Sequence, residues 1–305
     1  MNIIEQAAKR LEELRRAGVE MPASIGAAGP LPSGGANVTP IAPVGLAPAK
    51  QALSPEALAA SNRRSKEVNL DLARLEREGY LVPSQGRSLL AEQMRIIKRP
   101  LLANARGESA QPIARSNLIL VASAMPGEGK TFFSMNLAMS IAMEVDHSVL
   151  LVDADVLRPS VLARYGLEPS RGLMDVVGSA HLELPDVMLR TNVPKLSLLP
   201  AGTANAKSTE LLASGAMEAM LDELAAKYSD RIIVFDAPPL IPTTESRVLA
   251  SRVGQVVMVV EANRTTHAQV SQAYAAVEQC PVVLSVLNKA SGRGGSESYG
   301  YYYAA

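Results

Sequence analysis

A single cysteine, Cys280, leaves no partner elsewhere in the chain, so an intramolecular disulfide is excluded and a reducing compartment is suited. Net charge is also missing: 30 Lys and Arg balance 30 Asp and Glu, and no field argues for nucleic acid or an anionic membrane as a bulk partner. No apolar run approaches the ~18 residues of a membrane-spanning helix. Glu5, Lys9 and Arg10 interrupt any hydrophobic stretch at the start, so no signal peptide is expected. His147, His181 and His267 are scattered, which argues against a metal-ligand cluster. These absences predict a cytoplasmic protein without a nucleic-acid partner. At 305 residues the chain exceeds one average domain without demanding two.

Aromatic residues are scarce too, at 4%, yet four of the 8 tyrosines, Tyr299, Tyr301, Tyr302 and Tyr303, lie near the C-terminus. The chain's average frequency would place about 0.2 tyrosines in the last seven residues. Residues 290–298 before them are a Gly/Ser tether without apolar periodicity. Phenols on a tether cannot build a core; they make sense as a substrate.

A phosphate site could use them. Ala124, Met125, Pro126, Gly127, Glu128, Gly129, Lys130 and Thr131 follow an apolar strand and precede a helix that begins with Phe132. Strand, Gly-rich loop ending in Gly-Lys-Thr, then helix is the context of a phosphate-binding loop. Gly127 and Gly129 let the backbone wrap phosphates, and N–H groups at the helix start face the negative charge. Lys130 is expected to reach the β- and γ-phosphates and the Thr131 hydroxyl to ligate magnesium.

Around this loop the pattern predicts an α/β fold with a mostly parallel sheet flanked by helices, of phosphate-loop NTPase (partition-ATPase-like) architecture. Candidate strands are 118–122, 148–153, 196–200, 231–236, 255–261 and 281–287. Helical stretches lie at 132–143, 208–228, 245–252 and 267–279. Upstream, residues 1–20 read as an amphipathic helix and 21–55 as a Pro/Gly/Ala-rich linker. Residues 56–110 read as a helical segment, with helices from about 55 to 79 and from 88 to 102. The globular domain is expected at 111–289 and a flexible tail at 290–305.

Three carboxylates close apolar strands: Asp153 and Asp155 after one, Asp236 after another. Ligands bind at the carboxyl ends of parallel strands, so these aspartates converge on the loop. Asp236 reads as a magnesium-side carboxylate. A phenol has a pKa near 10, so a carboxylate that accepts its proton points to a kinase rather than a hydrolase. Asp153 is expected in that role and Asp155 on the metal side, with a helix cap as the plainer reading of each.

With these pieces placed, the chain resembles the bacterial tyrosine kinases, specifically the autokinases of exopolysaccharide loci associated with exosortase sorting. The resemblance rests on residues 123–131, 151–160, 172–176, 199–203, 210–214 and 232–239 and on the tail, and it extends upstream through 69–102. It implies ATP as co-substrate, Mg2+, autophosphorylation of Tyr299, Tyr301, Tyr302 and Tyr303, and control of polysaccharide chain length or export. It also implies a ring-like homo-oligomer such as an octamer, a membrane chain-length-determinant protein that brings the kinase to the inner membrane, and a tyrosine phosphatase. In related folds an asparagine at the place of Asn288 touches the adenine. Two positions depart from the family pattern. Leu157 stands where an arginine is usual, with Arg158 after it. Glu92, Arg95 and Lys98 hold the oligomer motif with lysine replacing the second arginine, which loses its bidentate fork. The alternatives are a partition or septum-positioning ATPase switch, against which Met125 stands where its signature lysine belongs, and a non-catalytic ATP-binding regulator.

Overall fold

The computed structural model describes residues 65–290, apart from Ala180, Asn205, Ala206 and Ser229. The expected N-terminal helix, the linker and the four tail tyrosines lie outside the described residues. Strands β1 (Lys66–Val68), β2 (Leu118–Ser123), β3 (Ser148–Asp153), β4 (Leu189–Thr191), β5 (Leu196–Leu199), β6 (Arg231–Asp236), β7 (Gln255–Glu261) and β8 (Val282–Asn288) form one sheet. Its order is β1-β4-β5-β3-β6-β2-β7-β8, parallel except between β4 and β5.

The inner strands are buried on both faces, and their alternation divides the core. Leu118, Leu120, Leu150 and Val152 point into one apolar layer, Ile119, Val121, Val149 and Leu151 into the other. Near-continuous apolar runs are what a helix-covered parallel sheet requires. The second layer is closed by α2 (Leu89–Ala105) and α3 (Lys130–Ala142), the first by α8 (Gly215–Lys227). Between them in sequence come α4 (Val161–Tyr165), α5 (Leu173–Val177), α6 (Leu184–Val187) and α7 (Ser208–Ala213). The last two helices are α9 (Glu245–Ala250) and α10 (His267–Ala275).

All six expected strands are present. Two expected helices are not continuous. The upstream segment runs as strand β1 and then as a short helix, α1 (Leu72–Arg77), within the described residues. Asn192 explains the extended entry, because its Oδ1 accepts from Leu70 N at 2.8 Å and its Nδ2 donates to Leu70 O at 3.2 Å. Asp71 then caps α1 by accepting from Arg74 N. The stretch 208–228 divides at Ser214, whose extended backbone ends α7 and whose hydroxyl accepts from Met217 N to start α8. Leu70, Leu75, Leu81, Met94 and Leu101 share the second core layer with the sheet, so the upstream segment packs into the same body.

Candidate functional site

The carboxyl ends of β2, β3 and β6 place the loop and all three aspartates together. Asp153 and Asp236 are direct partners across the β3–β6 ladder. Lys130 opens α3 just behind Gly129, whose φ of 98° lies in the left-handed region, as does Gly127 at 87°. A Cβ at Gly129 would come 2.1 Å from Asn288 Nδ2. The loop needs glycine there on both counts.

The loop is bolted from behind. Glu128, 2% exposed, accepts from Met125 N at 2.8 Å and from the Thr265 hydroxyl. Asn288 Nδ2 donates to Glu128 O at 2.8 Å, and Lys289 Nζ donates to Gly127 O at 2.7 Å while pairing with Glu261. Asn288 was expected at the base; its amide nitrogen is engaged by the loop backbone.

A cavity of about 460 Å³ opens in front of the loop, lined by Lys130, Thr131, Phe132, Asp155, Leu157 and Arg158 together with Arg164 and Pro239. Lys130 Nζ lies 3.1 Å from Asp155 Oδ2. Asp236 is fully buried; its Oδ1 accepts from the Ser134 hydroxyl at 3.0 Å, and its Oδ2 has no hydrogen-bond partner among the described groups. Burial raises its pKa, opposed by the Lys130 charge and the hydroxyls of Thr131 and Ser134.

Asp153 is set differently. Its Oδ2 accepts from Ser160 N at 2.9 Å and Val161 N at 3.0 Å, so it holds the start of α4. Ser160 is the N-cap residue of α4, and Asp155 holds the preceding turn, its Oδ1 accepting from Arg158 N at 3.1 Å. Burial pushes the Asp153 carboxyl up to about 7; the Val161 and Ser160 N–H groups pull against that, while Asp236 and Asp155 add to it.

Asp155 pairs with Lys130, the Lys130 charge also acts on Asp236, and Asp236 Oδ2 has no hydrogen-bond partner among the described groups, an arrangement that suits a divalent cation. No group of three His, Cys, Asp or Glu among the described residues is arranged as a metal site. A cation would take most of its ligands from phosphate and water, which is the habit of magnesium.

Of the expected interface residues, Glu92 and Arg95 form an i,i+3 pair on the half-exposed face of α2. Lys98 does not join them. It is 4% exposed, and its Nζ lies 2.6 Å from both Ser140 O and Glu144 Oε1, tying α2 to the end of α3. The expectation that it completes a contact face is corrected accordingly. Sequence reasoning missed Ser134, Arg164, Thr265 and Lys289. Ser134, one turn after Lys130, was the one with a readable signal; the others reach the site through tertiary packing.

No protein-family model matches the chain. The tyrosine-protein kinase ptk of Acinetobacter johnsonii is 33% identical over 141 residues, 46% of this chain and 19% of that protein. The tyrosine-protein kinase CpsD of Streptococcus agalactiae is 30% identical over 178 residues, 58% of this chain and 76% of CpsD. The chain thus spans about a fifth of the Acinetobacter protein and three quarters of CpsD. Among solved structures, the VpsO kinase domain is similar at a TM-score of 0.51 and 27% identity, over 66% of this chain and 100% of that one.

Proposed function

We propose that this chain, which belongs to the bacterial tyrosine-protein kinase family, moves the γ-phosphoryl group of ATP onto tyrosines of its own C-terminal tail. The observation that carries this reading is the Lys130–Asp155 pair, 3.1 Å apart on the wall of a cavity fronted by a left-handed glycine loop. In the reaction the phenol oxygen bonds to the γ-phosphorus and the bond from that phosphorus to the β–γ bridging oxygen breaks. ADP leaves, and the phenolic proton passes to a carboxylate.

Lys130 neutralises the phosphates, and the loop N–H groups orient them. Thr131, Asp155 and Asp236 are the residues that would hold magnesium, whose charge offsets that of the phosphates when it is bound. Asp153 is the proton acceptor, for which a pKa of about 7 is well matched to neutral pH. Asn288 steadies the loop and faces the base. Residues 111–289 act as the kinase domain and 290–305 as its acceptor.

The acceptors are Tyr299, Tyr301, Tyr302 and Tyr303, and the setting is exopolysaccharide synthesis or export. Among the described residues no helix is long and apolar enough to cross a membrane. Our reading is therefore a cytoplasmic kinase brought to the membrane by a chain-length-determinant protein, assembled as a homo-oligomer through the Glu92 and Arg95 face, and reset by a tyrosine phosphatase. The narrower exosortase link rests on the resemblance of residues 69–102 alone.

Incubation of purified protein with ATP and magnesium, followed by phosphotyrosine detection, tests the reading. Wild type should label and Lys130→Met should not. Equal labelling of the two would remove Lys130 from the site.

A further inference from the structure

The sheet has two outer edges, and they are built differently. β1 is three residues long and carries Lys66 and Glu67, the shortness and charge that keep an edge from pairing with another chain. β8, at the other end, has neither protection. It runs for seven residues, Val-Val-Leu-Ser-Val-Leu-Asn, without a charge or a proline, and its register with β7 is unbroken by a bulge. Among the described residues no strand lies on its outer side.

The ladder fixes which groups of β8 face outward. Asn288 O accepts from Ala262 N at 2.9 Å, so the main chain of Asn288 points towards β7. Hydrogen-bonding direction alternates along a strand. Val282, Leu284 and Val286 therefore turn the same way, and the N–H and C=O groups of Val283, Ser285 and Leu287 turn outward. The side chains of these three residues stand on the α10 face. Val283 packs on the core layer that holds Ala273 of α10, Ser285 Oγ is bonded to the Tyr274 hydroxyl, and Leu287 is 64% exposed.

This edge is complementary to itself. A two-fold axis at Ser285 sets an antiparallel copy so that Ser285 faces Ser285, and Val283 faces Leu287 of the second copy. Each facing pair then exchanges both of its main-chain hydrogen bonds. The exposed Leu287 gains Val283 as its cross-strand neighbour. Lys289 falls opposite Pro281, so no two like charges meet. We propose that β8 is a dimer seam, at which a second copy of this chain adds its own β8 across that axis and the two sheets become one. β8 shares no residue with the lining of the nucleotide cavity or with the Glu92 and Arg95 pair, and the seam does not depend on the kinase reading.

Cysteine cross-linking of the full-length protein tests this. The chain's own Cys280 is buried, so an introduced thiol reports alone. Residues facing each other in such a pair have Cα atoms about 5.5 Å apart, within disulfide range. Ser285→Cys meets itself across the axis. After mild oxidation it should run mainly as a dimer on a non-reducing gel and return to monomer with reductant. Leu287→Cys is well exposed, yet its two copies would stand roughly 14 Å apart, so it should link at least about tenfold less. The Val283→Cys/Leu287→Cys double variant brings two thiols face to face and should link again. Equal linking of Ser285→Cys and Leu287→Cys would mark random collision and overturn the seam. So would Ser285→Cys and the double variant both staying monomeric, the result expected if another segment or partner covers this edge.

Discussion

Lys130 Nζ stands 3.1 Å from Asp155 Oδ2, with only 14% and 8% of the two side chains exposed. On the proposed reading one ammonium serves both the phosphates and this buried carboxylate. Asp155→Asn leaves Lys130 without its anion. Breaking a buried pair from one side costs about 3–5 kcal/mol, so the thermal midpoint should fall and tail labelling should drop at least about tenfold. ATP supplies replacement negative charge, so it should raise the midpoint of the variant more than that of wild type. An equal or smaller shift would separate this pair from the nucleotide.

Asp153 gives the molecule a pH dependence with a defined sign. Its folded pKa of about 7 lies above the ordinary carboxylate value, so the folded state holds that proton longer. The stabilisation is fully present below about pH 4 and is lost as pH rises through about 7. Asp153→Asn stays uncharged at every pH, so its stability should fall less steeply over that window in denaturant titrations. Wild-type labelling should rise through pH 7, because only the ionised carboxylate accepts the phenolic proton. Asp153→Asn should lack that rise; identical profiles would leave Asp153 only as a support for the start of α4.

Gly129→Ala tests the loop. The new methyl group meets Asn288 Nδ2 at 2.1 Å and must also adopt a φ of 98°. Left-handed backbone alone costs a non-glycine residue about 1–2 kcal/mol. Nucleotide affinity by calorimetry should drop well over tenfold. Adding Asn288→Ala removes the clash and not the backbone strain, so recovery should be partial; full recovery would mean that the conformation itself is unimportant.

How much of this was legible in the chain depended on reach. β2, β3 and β6 could be read because each apolar run ends in a chemical marker: the glycine loop, Asp153 and Asp236. Lys66–Val68 and Leu189–Thr191 could not, since three residues carry no alternation to detect and pair only in the folded sheet. The break at Ser214 did carry a signal, the Ser-Gly pair at 214–215, a cap and breaker set between two helix-forming runs. Within the site, Lys130 and the aspartates follow from strand topology. Thr265 on Glu128 and Tyr80 on Arg164 are contacts across 137 and 84 residues, and composition gives no hint of them. Lys98 misled because its spacing from Arg95 fits a surface stripe while packing turns it inward.

Lys98→Met should therefore act on stability. It leaves Ser140 O without its donor in a buried setting, an expected loss of about 1–3 kcal/mol in chemical denaturation. The mass of the assembled protein by light scattering should be unchanged under folding conditions. An unaltered midpoint combined with a smaller assembly would return Lys98 to the subunit interface.

The most direct measurement is peptide-resolved mass spectrometry of the whole chain before and after incubation with ATP and magnesium, beside a variant with phenylalanine at 299, 301, 302 and 303. Wild type should gain phosphate on those tyrosines, and the variant should gain none while binding ATP with the same affinity. Phosphate appearing on the variant to the same extent, or on neither protein, would contradict the assignment of the tail as the substrate of this site.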